Sequence, residues 1–200
     1  PYLDQLVVKF IPDAANRSVA FETGEADLGY RTPVALTDVA RLKTLPQLGF
    51  ETRSNSYSFN VSSLQFNLDD KYFKDLRVRQ AVAHAINRDV ILQVAYLGLG
   101  QVTASPIAPG IKEYHDPSPS PYAFDIKQAN ALLDAAGYTR GADGTRFSVS
   151  LDYNPIAEDL RKTAEYIRSA LGKIGIKVTL RAQDLSTFVR RIYTDRDLDR

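Results

Sequence analysis

Two runs decide the fold: Phe147-Ser148-Val149-Ser150-Leu151 and Ile176-Lys177-Val178-Thr179-Leu180. In each, apolar and polar residues alternate, the period of a half-buried strand. Between them, Leu160, Ala164, Ile167 and Leu171 recur at helical spacing in a stretch from about Ala157 to Leu171. Gly172 and Gly175 bracket the turn into the second strand, and Asp184 is placed to cap a last helix through about Tyr193. Strand-helix-strand-helix at this spacing predicts α/β layers and excludes a helical bundle or a β-sandwich.

From Asp75 the chain reads as helical: Val78, Ala81, Val82, Ala85 and Ile86 form one apolar stripe, and a second helix is expected from about Arg88 to Tyr96. Residues 103–121 carry Pro106, Pro109, Pro117, Pro119 and Pro121 and predict a stiff loop without regular structure. Asp125 caps a helix that Gly137 ends. Toward the start, Gln5–Ile11 and Ala26–Tyr30 read as strands, with a helix between them capped by Asp13 and stopped at Gly24. Thr32-Pro33 predicts an N-cap and first helical residue of a helix to about Leu45. Leu48–Arg53 and Tyr57–Gln65 read as extended, and a domain boundary is expected near residues 54–66.

The 200 residues are 44% hydrophobic and 24% charged, enough apolar material for a core and incompatible with intrinsic disorder. The first hundred hold 11 basic and 11 acidic side chains and the second hundred 14 and 13, so neither half offers the basic surface that nucleic acid requires. No apolar run approaches the ~20 residues of a membrane-spanning helix. The absence of cysteine removes disulfides, thiolate nucleophiles and Cys-ligated zinc. The opening Pro1-Tyr2-Leu3-Asp4 and the close at Asp199-Arg200 lack a natural start and a helix stop, and the chain is expected to be part of a longer protein.

Catalytic equipment is sparse. Of two histidines, His84 is expected to be a solvated surface residue on its helix, and His115 lies in the proline-rich loop. No HxxxH or HxH spacing offers a metal site. Asp195, Asp197 and Asp199 alternate like a calcium loop but lack its glycine and closing glutamate. Gly98-Leu99-Gly100 follows a helix, whereas a dinucleotide fingerprint follows a strand, and there is neither a G-x-S-x-G elbow nor a P-loop. No catalytic residue, metal or cofactor is predicted.

Four segments, in order, resemble the family 5 extracellular solute-binding proteins of bacterial ABC importers, the dipeptide, oligopeptide and nickel binders. They are Pro1–Asp13 continued by Arg17 and Gly24–Leu28; Phe73-Lys74-Asp75-Leu76-Arg77-Val78-Arg79-Gln80-Ala81-Val82-Ala83-His84-Ala85-Ile86-Asn87-Arg88-Asp89; Phe124–Ala129 running to Leu132–Tyr138; and Leu171–Val178. The bland reading of these helices is scaffold, because a stripe at 3.6 residues is first a core face. The resemblance implies a periplasmic-binding-protein-like (type II) mixed sheet with flanking helices, here a partial chain of a two-lobed clamshell. Residues 1–55 would end the first lobe, 56–66 would cross over, and 67–200 would form a second lobe incomplete at its C-terminal end.

It also implies a small-molecule or peptide ligand held between the lobes, an ABC permease as membrane partner, a monomer with no nucleic-acid role, and a periplasmic or extracytoplasmic location, lipid-anchored in the full-length form. Loops at the cleft-facing ends of strands are where a ligand would sit. Tyr57, Tyr153 and Asn154 are candidates there, since aromatic and amide groups suit amphipathic ligands, although tyrosine also packs routinely in strands. Arg161 is the nearest candidate to the arginine that peptide-binding relatives use for a ligand carboxylate; Glu158 or Glu165 would equally make it a surface ion-pair residue. Two rivals stand beside this reading. One is a mixed α/β hydrolase using Asp152 and Glu158, marked by a buried carboxyl pair with opposed pKa shifts. The other is a regulator with a borrowed solute-binding domain.

Overall fold

The structure is a computed structural model, and it describes residues 2–29, 33–51, 60–155 and 157–195. The chain divides into two compact units, Pro1–Ser54 and Asn55–Arg200.

The first unit contains helices α1 (Ala14–Glu22) and α2 (Leu36–Leu42). Asp13 caps α1 as its sequence predicts, accepting from the Asn16 amide at 2.9 Å. The buried Ser18 hydroxyl joins the two helices by donating to Asp38 at 2.6 Å. Arg17 binds the chain on either side of α1, donating to the carbonyls of Ile11 at 2.8 Å and Pro12 at 2.7 Å and to that of Pro33. The described parts of the expected strands at 5–11, 26–30 and 48–53 are irregular instead. Leu6, Val7, Val8 and Phe10 are exposed, Phe10 by 91%. Strand composition alone cannot hold a strand: its amides and carbonyls need a neighbouring ladder, and none lies beside these residues among those described. The cap of α2 also differs from expectation. Ala35 precedes the helix without a side-chain cap, and Thr32 lies outside the described residues.

The second unit is built around a β-α-β element. Strands β1 (Phe147–Tyr153) and β2 (Ile176–Ala182) pair in parallel, joined by α6 (Glu158–Lys173), and they are the only strands among the described residues. The described part of the expected strand at 57–65 is irregular, although Leu64 and Phe66 still pack on the core. Helices α3 (Leu76–Ala85), α4 (Arg88–Val94) and α5 (Ile126–Ala135) precede the sheet, and α7 (Leu185–Val189) follows it. Side-chain carboxyl or amide groups of Asp75, Asn87, Asp125 and Asp184 cap α3, α4, α5 and α7. The last helix is shorter than predicted, because at Arg190 the chain widens into a π-helical turn through Asp195.

Val78, Ala81, Val82 and Ala85 of α3 meet Ala129 and Leu133 of α5, and this layer closes on Phe147, Ile167, Leu171, Ile174, Ile176 and Val178. Phe147 stacks on Tyr72 at 4.1 Å and takes the edge of Tyr138 at 5.1 Å. The turn into β2 demands glycine. Gly175 has φ +82°, and a Cβ there would lie 2.8 Å from the Gly144 carbonyl oxygen.

One basic side chain ties these layers together. Arg146, 3% exposed, binds the Asp134 carboxylate and the Tyr138 carbonyl, and donates to Asn130 Oδ1 at 3.1 Å and the Ile174 carbonyl at 3.0 Å. It thus joins the end of α5 to the turn before β2.

Candidate functional site

In parallel α/β sheets, ligands sit beyond the carboxyl ends of the strands. At that end of β1 and β2 the register sets Asp152 opposite Arg181 and Tyr153 opposite Ala182. The Gln183 amide donates to the Tyr153 carbonyl at 3.1 Å, extending the pairing by one step. Asp152, its side chain 9% exposed, accepts from Arg181 at 2.6 Å and from the Gln183 side-chain Nε2 at 3.1 Å, and Arg191 stands at 3.6 Å. Gln183 Oε1 is buried with no hydrogen-bond partner among the described residues. This cluster couples the π-helical turn that carries Arg191 to the end of β1. Nothing in the sequence separates Asp152 from other strand acids, because its partners are set by strand register.

Tyr153 and Asn154 belong to this same strand end, Tyr153 half-buried and Asn154 buried. Arg161 lies elsewhere, on the exposed side of α6, donating to Glu165 at 2.8 Å and Glu158 at 3.3 Å, while Lys162 also pairs with Glu158. Tyr57 lies outside the described residues. The acids of the hydrolase reading do not form a carboxyl pair. Asp152 is held by two guanidinium groups, and Glu158 is exposed between Arg161 and Lys162. Among the described residues no group of three His, Asp or Glu side chains could hold a metal ion, and no helix is long and apolar enough to cross a membrane.

His84 departs from its expected solvated position. It is half-buried, its Nδ1 donates to the Ala123 carbonyl at 2.7 Å, and it meets the Tyr122 ring edge-on at 5.7 Å. The cause is tertiary. The end of the proline-rich loop folds back over α3, with the Asp125 amide donating to the His84 carbonyl at 2.9 Å. Arg88 donates to the Tyr122 carbonyl at 3.3 Å from the other side.

Residues 1–199 match the family model of the bacterial extracellular solute-binding proteins, family 5, middle portion. The heme-binding protein A of Haemophilus influenzae is 31% identical over 175 residues, covering 88% of this chain and 31% of that protein. The dipeptide-binding protein of Escherichia coli is 30% identical over 194 residues, 96% of this chain and 34% of that protein. Among solved structures, the periplasmic binding protein DppA of Helicobacter pylori in complex with the peptide STSA superposes with a TM-score of 0.74 at 32% identity, over 95% of this chain and 35% of that one. The fold is accordingly part of the type II periplasmic-binding-protein architecture. The chain belongs to the family 5 bacterial extracellular solute-binding proteins, whose members are binding proteins, and it spans about a third of the length of the relatives it matches.

Proposed function

We propose that this chain is part of the substrate-binding component of a bacterial ABC importer. The component takes a peptide-like or other small solute between two lobes and delivers it, chemically unchanged, to the membrane permease. Residues 1–55 end the first lobe, 56–66 form the crossover and 67–200 form most of the second lobe. The whole protein works outside the cytoplasm as a lipid-anchored monomer, without cofactor or catalysis. The observation that carries the reading is the family match running over residues 1–199, shared with relatives named for dipeptide and heme binding.

The mechanism follows from differential affinity. A solute that touches both lobes only in the closed state favours closure by the free energy of the second set of contacts. Tyr153 and Asn154 lie at the strand end where such contacts form, and the ion-paired Asp152 beneath them fixes that end in place. Tyr57 contributes from the crossover. Arg161 receives a ligand carboxylate only by giving up Glu158 or Glu165, so its part is that of an exchangeable partner.

The test uses the full-length protein and a panel of di- and tripeptides, with heme as a further probe. A bound solute at a hundredfold excess over Kd should raise unfolding stability by about 2.7 kcal/mol. Asn154→Ala should weaken that solute about tenfold, the loss of roughly 1.4 kcal/mol of contact. Chemical conversion of the bound solute would overturn the proposal.

A further inference from the structure

The proline-rich loop and the start of α4 line an open hollow of about 260 Å³. Its polar lining includes Arg88, Gln101, His115, Asp116, Ser118 and Ser120. We propose that this cavity is a binding site for a phosphate group, free or carried on a small ester, distinct from the solute site between the lobes.

Arg88 supplies the first argument. Its one hydrogen bond among the described residues goes to the Tyr122 carbonyl, and no carboxylate there pairs with it. A half-buried guanidinium that is not ion-paired, although Asp116 shares its lining, can grip two oxygens of a phosphate group. The second argument is the mixture of donors and acceptors. His115 Nδ1 donates to the Ile107 carbonyl at 2.8 Å, which fixes the ring in the lining. Ser120 Oγ accepts from the Tyr122 amide at 3.2 Å and keeps its own hydroxyl proton to donate. Asp116 is the acidic member of the lining, and it already accepts the Ser118 amide at 2.9 Å and the Ser118 hydroxyl. A hydrogen phosphate both accepts and donates, matching Arg88 and Ser120 on one side and the Asp116 carboxylate on the other. Sulfate has no proton to give, and it would set an oxygen against that carboxylate.

The third argument is rigidity and size. Pro117 and Pro119 lie in the lining itself, and the His115 and Tyr122 anchors fix both ends of the 115–122 segment, so little ordering opposes binding. The space, about 260 Å³, is ample for a phosphate with a short ester tail.

The experiment is calorimetric titration of the full-length protein with inorganic phosphate, glycerol phosphate and sulfate, with and without saturating cleft solute. The expected result is saturable one-to-one binding of phosphate or its ester, unaffected by the solute, with sulfate at least tenfold weaker. Binding of the ester alone assigns the site to phosphate esters, and binding of both assigns it to the group itself. Arg88→Gln should weaken phosphate at least tenfold. Ser120→Ala, which leaves the Arg88–Tyr122 anchor in place, should weaken it several-fold, and an unchanged thermal midpoint without phosphate certifies its fold. Absence of saturation, equal affinity for sulfate, or equal affinity in Ser120→Ala and the parent protein would each overturn the proposal.

Discussion

Replacing Arg146 with methionine should be among the most damaging single changes in the second unit. The guanidinium is 3% exposed and serves four acceptors, two of them the carbonyls of Tyr138 and Ile174, with Ile174 itself fully buried. Methionine preserves most of the apolar stem but donates nothing. The Tyr138 and Ile174 carbonyls then lose a charge-assisted donor at about 1–1.5 kcal/mol each, and Asn130, which keeps Arg140 as a donor at 3.1 Å, loses less, so the loss comes to about 2–4 kcal/mol. Asp134, the ionic partner, is 55% exposed, and water can replace its contact with Arg146. Asp134→Asn should therefore cost only a small fraction of the loss in Arg146→Met. The contrast is measurable by urea unfolding followed by far-UV circular dichroism, with an unchanged denaturant slope as the check on two-state behaviour. In a unit of this size the arginine variant should melt roughly 10 °C lower. If both variants lost the same stability, the exposed ion pair would be the source of the effect and the buried carbonyl network would count for little.

Gly175→Ala should destabilise by about 2–3 kcal/mol, combining the left-handed backbone at φ +82° with a Cβ placed 2.8 Å from the Gly144 carbonyl oxygen; thermal unfolding reads it, and a neutral result would mean the turn relaxes freely. Val149→Ile should fill part of a cavity of about 40 Å³ between the sheet and Leu64 and Phe66, raising stability by up to about 1 kcal/mol; a loss would show that the gap cannot take a methyl group. The Arg77 side chain, by hydrogen bonding, holds the Asp75 carboxyl below its usual 3.8. Its contribution is therefore present above pH 4 and is lost as pH falls through the lower folded value. Asp75→Ala should cost about 1 kcal/mol at pH 7 as a lost helix cap, with a shrinking difference from the parent in acid; a pH-independent difference would contradict the assignment.

The helical part of the second unit was legible because its signals are local. Asp125 and Asp184 each cap a helix with their own side chain, and the stripe of Val78, Ala81, Val82 and Ala85 became a buried face. The expected strands of the first unit fared differently. Leu6, Val7 and Phe10 have the right composition but no neighbouring ladder among the described residues. The candidate site was legible only in its placement. Tyr153 and Asn154 were expected just past a strand and stand at the end of β1, and the ion-pair setting of Arg161 with Glu158 and Glu165 was foreseen. The Asp152 cluster was missed as a structural unit, since its four members are separated by up to 39 positions in sequence.

By itself, then, the order of residues determined the helix starts at Asp13, Asp125 and Asp184, the β-α-β element and the family, because caps, periodicity and contiguous motifs act over a few neighbouring positions. Tertiary structure decided which acids are neutralised, that His84 is clasped by the loop after it, and that Arg88, His115 and Ser120 share one cavity. Those relations depend on strand register and on a proline-stiffened loop folding back over α3 and α4. Such contacts join residues far apart in the chain, so they exist only once the core beneath them has packed.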